Sequence, residues 1–310
     1  MNKEIAQKDV ELLRDNHFQN GFKLKRANLQ DSGPMFVDQI SFRSRETPIW
    51  RLAQWHSRFD LQGTKPVQSD SGAIVYQNAG KLVALGDRNT EDEGLTLQVY
   101  GSQEYRAPRK QGEHWPHLLV NQEFGNGHAI RDMNSLRFRM KTRITKCISH
   151  MARETFDSSL HTAQVSLFLI LRNADMTDIV DREEHAWGAY PEQETGDWIW
   201  LGVPIYDYRH PELSVEERTM WDKGTQKLIY VVPSADIWES PLHDGQWHQA
   251  DLDIYPLLRR AYDVAVSKGG FVNVPFDDLS IVSMNVGWEV PGTFDCGIQI
   301  GEIRLSKTLR

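Results

Sequence analysis

The sequence predicts an all-β protein, an antiparallel β-sandwich or jelly roll, and three observations support this. Beyond Gly21, apolar and polar residues alternate at period two over many short segments. Turn residues separate these segments, as in Asn78-Ala79-Gly80, which is typical of a hairpin. Little of the chain shows helical spacing. Many short strands joined by turns favour a sandwich over an α/β fold.

Two short helices are expected beside the strands. Residues 4–15 have the spacing of a small amphipathic helix, which the Asn20-Gly21 turn would end. In the C-terminal half, Pro256 supplies a first helical turn and apolar residues recur at helical spacing until Gly269-Gly270.

These patterns divide the chain unequally. We expect an N-terminal helical extension over residues 1–20 and one large β-sandwich domain over residues 21–310. A chain of 310 residues is long enough to bury its core without covalent staples.

Charge and hydropathy limit the partners. The chain has 35 Lys and Arg against 43 Asp and Glu, for a net charge of −8, which disfavours nucleic acid or an anionic membrane as the main partner. The first fifteen residues contain no apolar signal-peptide core, and no segment approaches the roughly 20 apolar residues of a membrane span. We expect a cytoplasmic protein, or a periplasmic or secreted one if a signal peptide precedes this sequence. The oligomeric state is left open.

The sequence contains no cofactor or metal motif of the common kinds. Its two cysteines, Cys147 and Cys296, are expected as free, mostly buried thiols, although an oxidising compartment would allow one bridge. We therefore expect no cofactor. A structural calcium ion bound by Asp and Asn residues of the loops is the alternative.

The most informative segment runs from Trp198 to Tyr208. Strand alternation places every second residue on one face and the intervening aliphatic residues on the other. The first face would then hold four rings, namely Trp198, Trp200, Tyr206 and Tyr208. Open aromatic faces beside polar groups are typical of a sugar site, whereas burial under a loop or a second sheet is the alternative. The acidic segment 175–197 is expected as a long loop at the rim of this face or over it.

Polar side chains also occur inside strands where apolar residues are expected. Directed donors and acceptors beside aromatic rings are the usual chemistry of a sugar site. The alternative is that these groups pair with one another, for instance Glu289 with Arg51. The candidate ligand-binding residues are Arg51, Gln54, His161, Gln164, Asn285 and Glu289, together with the four rings.

Catalysis on the same surface is a further hypothesis. A glycosidase needs two carboxyl groups about 5 to 10 Å apart, and Glu123 is the first candidate, with Asp207 as one possible second. A polysaccharide lyase would instead use a His or Tyr base beside groups that neutralise a uronate. The candidate catalytic residues are Glu123, His117 and Asp207, and hydrolase and lyase stay open.

Three segments carry a resemblance to a known class. They are Trp50-Arg51-Leu52-Ala53-Gln54-Trp55, Trp115-Pro116-His117-Leu118-Leu119-Val120 and Gly287-Trp288-Glu289-Val290-Pro291-Gly292. With them the chain resembles bacterial proteins of the concanavalin A-like lectin and glucanase class. The resemblance implies two curved sheets with a ligand groove on the concave face. The function expected is recognition of an oligo- or polysaccharide, with a hydrolase or lyase, or a non-catalytic oligomerisation module, as alternatives.

Overall fold

The computed structural model describes residues 9–28, 34–173, 198–222 and 227–310. Its strands form two large β-sheets that pack face to face, so the predicted all-β sandwich is confirmed. The segment 175–197, predicted as a rim or lid, lies outside the described residues. In the described part of the chain, no helix is both long and apolar enough to cross a bilayer.

The first sheet has eight strands. Its order is β15-β10-β17-β8-β7-β6-β5, and β1 adds to the free part of β17, with all neighbours antiparallel. The Asn78 to Gly80 turn joins β6 to β7 as predicted. The strands are β1 (Asp9–Glu11), β5 (Val67–Gln68), β6 (Ile74–Gln77), β7 (Lys81–Gly86), β8 (Gly94–Tyr100), β10 (Met133–Ser149), β15 (His248–Asp253) and β17 (Phe294–Leu309).

The second sheet has nine strands in the order β13-β14-β12-β11-β16-β9-β4-β2-β3. Two of its pairs, β2 with β4 and β12 with β14, are parallel, so this sheet is mixed rather than purely antiparallel. In each case the strand between the two in the chain, β3 or β13, runs antiparallel in the same sheet and brings the chain back. The strands are β2 (Phe22–Lys25), β3 (Phe36–Ile40), β4 (Trp50–Ala53), β9 (His117–Ala129), β11 (Gln164–Asn173), β12 (Trp198–Asp207), β13 (Arg218–Asp222), β14 (Lys227–Val231) and β16 (Leu279–Glu289).

The main core lies between the two sheets, where alternate residues of each strand meet. Trp50 and Trp288 are fully buried there. The Trp288 Nε1–H donates to the carbonyl of Leu97 in the opposite sheet at 3.1 Å, and the Trp50 Nε1–H donates to the Asp15 carbonyl at 2.9 Å. Each indole thus fills the core while its one polar atom is satisfied.

Two helices accompany the sheets. The short α1 (Gly101–Glu104) follows β8, and α2 (Tyr255–Ser267) confirms the helix predicted from Pro256. The buried side of α2 is the apolar stripe read from the sequence, made of Leu257, Leu258, Ala261 and Ala265.

The helix predicted over residues 4–15 is wrong for the part of that segment that the structure describes. Asp9–Glu11 form strand β1 opposite Ser306 to Thr308, and the Leu12 N–H donates to the Leu305 carbonyl at 2.7 Å. Leu12 and Leu13 are buried in the main core. Pairing with the exposed edge of β17 gives the backbone N–H and C=O groups of this segment more hydrogen bonds than an isolated helical turn would. The domain boundary at residue 20 stays a prediction.

Candidate functional site

The outer face of the nine-stranded sheet is the side turned away from the eight-stranded sheet. It carries an apolar cluster separate from the main core. Antiparallel sheets often present a polar, solvated outer face, so large buried apolar side chains here mark a specialised surface. The cluster consists of Ala53, Trp55, Leu119, Ile170 and Trp198, with Phe168, Trp200 and Val282 packed against it.

A row of directly opposed residues crosses the middle of this face. Arg51 on β4 pairs with Asn121 on β9, which pairs with Asn285 on β16. The row continues through Phe168 on β11 to Gly202 on β12. Directly opposed residues lie on the same side of a sheet, so this amide row lies between a guanidinium and an aromatic ring. A Cβ at Gly202 would lie 2.8 Å from Phe168 Cε1, and glycine therefore leaves room for that ring.

The two asparagines at the centre of the row are buried without being satisfied. Asn121 is 2% exposed and Asn285 is 4% exposed. Among the described residues, neither Nδ2 nor Oδ1 of Asn121 has a hydrogen-bond partner, and nor does Nδ2 of Asn285. Each such buried group costs about 1–3 kcal/mol, and native structures rarely retain one without a ligand or water to bond it.

An ion pair borders the amide row on one side. The Arg51 guanidinium bonds the Glu123 carboxylate, and Arg51 also lies 5.4 Å from the centroid of the Phe36 ring. This pairing fixes the plane of the guanidinium and engages the Glu123 carboxylate as a hydrogen-bond acceptor.

Aromatic rings border the row on the other side. Phe168 and Trp200 have centroids 5.9 Å apart with an interplanar angle of 59°, and Trp200 is half-buried. Trp198 is only 3% exposed, and Arg172 lies 5.8 Å from its ring. Both tryptophans lie on the outer face as predicted, although Trp198 is packed within the cluster and does not form an open platform.

The prediction that four rings share one face is wrong for the two tyrosines. Ile205 is an extra residue in β12, a β-bulge, so Tyr206 rather than Ile205 lies opposite Val165. A bulge reverses the alternation beyond it. Tyr206 therefore lies in the main core, 5.8 Å from the Trp288 ring.

Tyr208 lies beyond the end of β12. Its ring packs 4.7 Å from Phe294 of the eight-stranded sheet and 6.0 Å from Phe156. It is therefore separated from the tryptophans and belongs to the margin of the sandwich.

A second polar row crosses one end of the same face. His117 on β9 lies opposite Glu289 on β16, which lies opposite Gln164 on β11, which lies opposite Asp207 on β12. The Gln164 Nε2 donates to Glu289 Oε2 at 3.2 Å. Arg209 Nη2 in turn donates to Gln164 Oε1 at 3.3 Å and pairs with Asp207 at 2.6 Å. From Glu289 to Asp207, side chains therefore bond one another through Gln164 and Arg209.

The ends of this second row differ in charge state. Burial lowers the pKa of His117, against the opposing effect of Glu289, and its Nδ1–H donates to the Trp115 carbonyl at 2.9 Å. Burial disfavours the ionised form of Asp207, yet hydrogen bonds from Arg209 and Thr162 lower its pKa. The row thus joins a neutral imidazole to an ionised carboxylate.

The predicted catalytic set is divided between these two rows. Glu123 lies opposite Ser283 and Glu289 lies opposite His117, so the two glutamates are about 20 Å apart along the strands at about 3.3 Å per residue. His117 and Asp207 share the second row, with β16 and β11 between them. Glu123 therefore cannot act on the same bond as either of them.

Two of the predicted ligand-binding residues have structural roles elsewhere. Gln54 follows β4 on the side opposite to Arg51 and is fully buried; its Nε2 donates to the Lys25 carbonyl at 3.0 Å and its Oε1 accepts from Leu61 N–H at 3.0 Å. His161 precedes β11; its Nδ1 accepts from Asp157 N–H at 3.0 Å and its Nε2–H donates to the Arg109 carbonyl at 2.8 Å. Neither has a polar atom left for a ligand.

Sequence reasoning missed Lys25 and the role of Asn121. Lys25 on β2 lies opposite Phe36 and is 1% exposed. Its Nζ has no hydrogen-bond partner among the described residues and lies 5.6 Å from the Trp55 ring. Burial, and then the nearby Arg51, lower the pKa of Lys25 to about 7. Alternation with Phe22 and Leu24 places Lys25 on the outer face, but an outward lysine is ordinary and its burial is visible only in the tertiary structure.

No His, Cys, Asp or Glu cluster of three or more residues in the described ranges has the arrangement of a metal site. The fold and this face together define a β-sandwich with a polar and aromatic surface on the outside of one sheet.

Comparison with known proteins gives structural similarity only. No protein-family model and no curated protein matches the sequence. A family 12 xyloglucanase from Bacillus licheniformis is similar at 10% identity and a TM-score of 0.42, over 80% of this chain and 97% of that chain. The endoglucanase cel12A from Rhodothermus marinus gives 10% identity, a TM-score of 0.37 and coverages of 80% and 96%. A family 11 xylanase from Neocallimastix patriciarum gives 8% identity, a TM-score of 0.38 and coverages of 80% of this chain and 96% of that chain.

Proposed function

We propose that this protein binds an oligo- or polysaccharide on the outer face of its nine-stranded sheet. The observation that carries the proposal is the Asn121–Asn285 pair, in which both amide atoms of Asn121 and the Nδ2 of Asn285 are unpartnered in the described part of the chain. A sugar hydroxyl both donates and accepts hydrogen bonds, so it matches an amide that offers NH₂ and C=O together.

The surroundings of the pair fit the same ligand. Phe168 and Trp200 offer ring surface at one end of the row, and the Arg51–Glu123 pair offers oriented charge at the other. The C–H face of a pyranose can pack on the two rings, and its hydroxyls can bond the ion pair. The buried apolar cluster on the same face lowers the local dielectric, which strengthens such bonds.

The test compares two near-isosteric substitutions on neighbouring residues of β9. Asn121→Leu removes an amide that makes no hydrogen bond within the described protein. Gln122→Met removes an amide on the other side of the sheet whose two polar atoms are both hydrogen-bonded. Its Oε1 accepts from the Arg14 N–H at 2.9 Å, and its Nε2 donates to the Arg14 carbonyl at 2.9 Å. A glycan array and calorimetry on any ligand it identifies measure binding, and thermal unfolding measures stability.

We expect opposite outcomes from the two variants. Asn121→Leu should reduce glycan affinity at least tenfold, equivalent to about 1.4 kcal/mol, with an unchanged or higher Tm. Gln122→Met should lower Tm and leave affinity intact. Glycan binding that survives Asn121→Leu and Asn285→Leu, or wild-type protein that binds nothing on the array, contradicts the proposal.

Hydrolysis of the bound glycan is a second candidate function, favoured by the second polar row. Glu289 and Asp207 flank β11, so their backbone positions are about 10 Å apart at about 4.8 Å per strand. This is near the separation of the two carboxyl groups in inverting glycosidases. Asp207 is held ionised by Arg209, as a general base must be, which leaves Glu289 as the acid.

The catalytic candidate has its own test. Wild-type protein is incubated with the best array ligand, and the anomeric configuration of new reducing ends is followed by NMR. Inversion that is lost in Glu289→Gln, while binding is retained, supports this function. Turnover that survives Glu289→Gln, or the absence of any product from a ligand that binds, excludes this row as the catalytic site.

A further inference from the structure

Lys25 is the most unusual polar group on the outer face. Its ammonium is buried, and among the described residues no carbonyl, hydroxyl or carboxylate accepts a hydrogen bond from it. The aromatic face of Trp55 lies near the ammonium, with its centroid at 5.6 Å. A cation–π contact of this length contributes about 0.5–2 kcal/mol, far less than burying a charge costs.

The charged neighbours of Lys25 do not neutralise it. Lys23 and Arg51 lie opposite each other in the β2–β4 register and project from the same face. The carboxylate of Glu123 is bonded to Arg51. These described residues give this corner of the face three cations and one carboxylate, although the chain as a whole carries a net charge of −8.

We propose that Lys25 binds the anionic substituent of an acidic glycan, so that the saccharide recognised on this face carries carboxylate or sulfate groups. The inference rests on the proposed function and names its substrate class. The anion supplies the partner that the ammonium lacks, and charge-assisted hydrogen bonds of this kind are about twice as strong as neutral ones.

The adjoining residues extend the site to the rest of the sugar. Arg51 links Lys25 to the amide row, because it interacts with Lys25 and lies directly opposite Asn121. One saccharide can therefore place its charged group on Lys25 and its hydroxyls on Asn121 and Asn285. The ring of Trp55, which is packed in the apolar cluster, lies beside the ammonium.

Calorimetry with three defined hexasaccharides tests the inference. They are oligogalacturonate, which carries carboxylates; κ-carrageenan hexasaccharide, which carries sulfate esters and no carboxylate; and cellohexaose, which is neutral. Each is titrated into the wild type, Lys25→Met and Lys25→Gln. Lys268→Met, which removes an exposed lysine after α2, is the charge-matched control, and thermal unfolding verifies that every variant is folded.

The expected result is selective. At least one acidic hexasaccharide should bind the wild type more tightly than cellohexaose, and both Lys25 substitutions should weaken that binding by roughly 10- to 100-fold. Lys268→Met should leave it unchanged. Preference for oligogalacturonate identifies a uronate as the ligand, and preference for the carrageenan fragment identifies a sulfate ester.

Failure of this inference is distinguishable from failure of the proposed function. Cellohexaose binding that equals or exceeds acidic binding, and that is insensitive to Lys25, overturns the acidic ligand while leaving a neutral glycan site. Acidic binding that survives both Lys25 substitutions overturns the role of Lys25. If none of the three hexasaccharides binds and the glycan array is also blank, both proposals fall.

Discussion

Cys147 and Cys296 lie directly opposite each other in the register between β10 and β17. Directly opposed Cα atoms in antiparallel strands are about 4.5–5.5 Å apart, which is within the range of disulfide-bonded cysteines. Both thiols are free, as the sequence led us to expect. Burial raises the pKa of Cys147 to about 11 and also raises the pKa of Cys296 well above its usual range, so thiolate is scarce at neutral pH.

We predict that an external oxidant closes an intrachain disulfide, slowly and faster at alkaline pH. Diamide accepts the two thiol hydrogens, and one S–S bond forms between Cys147 and Cys296. Intact mass should fall by two hydrogens over hours at pH 9 and scarcely at pH 7, because the attacking thiolate is more abundant at pH 9. Cys296→Ser is the control. A mass that does not change, or only intermolecular dimers, would refute the prediction.

The second prediction concerns Lys25 and the pH dependence of the free energy of unfolding. Its pKa is about 7 in the folded protein and close to 10.4 in an unfolded chain, so the unfolded state holds more protons between these values. The free energy of unfolding therefore rises with pH across that window, and the full penalty of the buried charge is present below pH 7. A difference of this size corresponds to an upper limit of about 5 kcal/mol.

Lys25→Met should therefore raise the free energy of unfolding at pH 6 and have less effect at pH 10. Lys81, whose pKa is lowered to about 8 by burial, contributes to the slope of both proteins, so the difference between them isolates Lys25. Urea titrations at several pH values measure it. A variant that is less stable than the wild type at pH 6 would show that the ammonium has a stabilising partner.

The third prediction concerns His161, which we expect to contribute to stability and not to glycan binding. Both of its ring nitrogens are bonded to backbone groups, and the residue is 3% exposed. His161→Ala leaves the Asp157 N–H and the Arg109 carbonyl without partners, which should lower the free energy of unfolding by about 1–3 kcal/mol. Chemical denaturation measures this, and glycan affinity at a temperature where the variant is folded should be unchanged. Reduced glycan affinity without reduced stability would show that His161 takes part in ligand binding.

The sequence predicts the architecture well because its signals are local. Period-two alternation, the Asn78 to Gly80 hairpin and the helix from Pro256 each depend on residues close in the chain. The parallel pairing of β12 with β14 and the strand at Asp9–Glu11 depend on partners far away. Main-chain pairing at an available edge overrode the helical spacing of the N-terminal segment.

The site is less predictable for two physical reasons. One inserted residue, Ile205, reverses the strand alternation and moves Tyr206 into the core. The composition of that strand does not indicate a bulge. The importance of Lys25 and Asn121 lies in their burial without partners, which depends on packing between strands that are distant in sequence. Trp198 and Trp200 lie on one face as predicted, because the alternation of β12 is regular up to the bulge at Ile205.

The fourth prediction concerns Gly202, which gives the Phe168 ring its position. A Cβ at residue 202 would lie 2.8 Å from Phe168 Cε1 and 3.1 Å from Val231 Cγ2, so Gly202→Ala forces the ring to shift away from β12. The backbone of Gly202 needs no positive φ, and the strand should accept alanine. We expect glycan affinity to fall roughly tenfold while the fold is retained, because the displaced ring no longer stacks at the end of the amide row.

A matched control for this substitution lies in the eight-stranded sheet. Gly301→Ala places a Cβ 3.1 Å from the flexible end of Glu93, on a strand that takes no part in the outer face. Both variants are compared by calorimetry against the same ligand and by thermal unfolding. If Gly202→Ala binds as tightly as Gly301→Ala, then Phe168 is only packing, and the sugar surface is confined to the asparagines, Lys25 and the tryptophans.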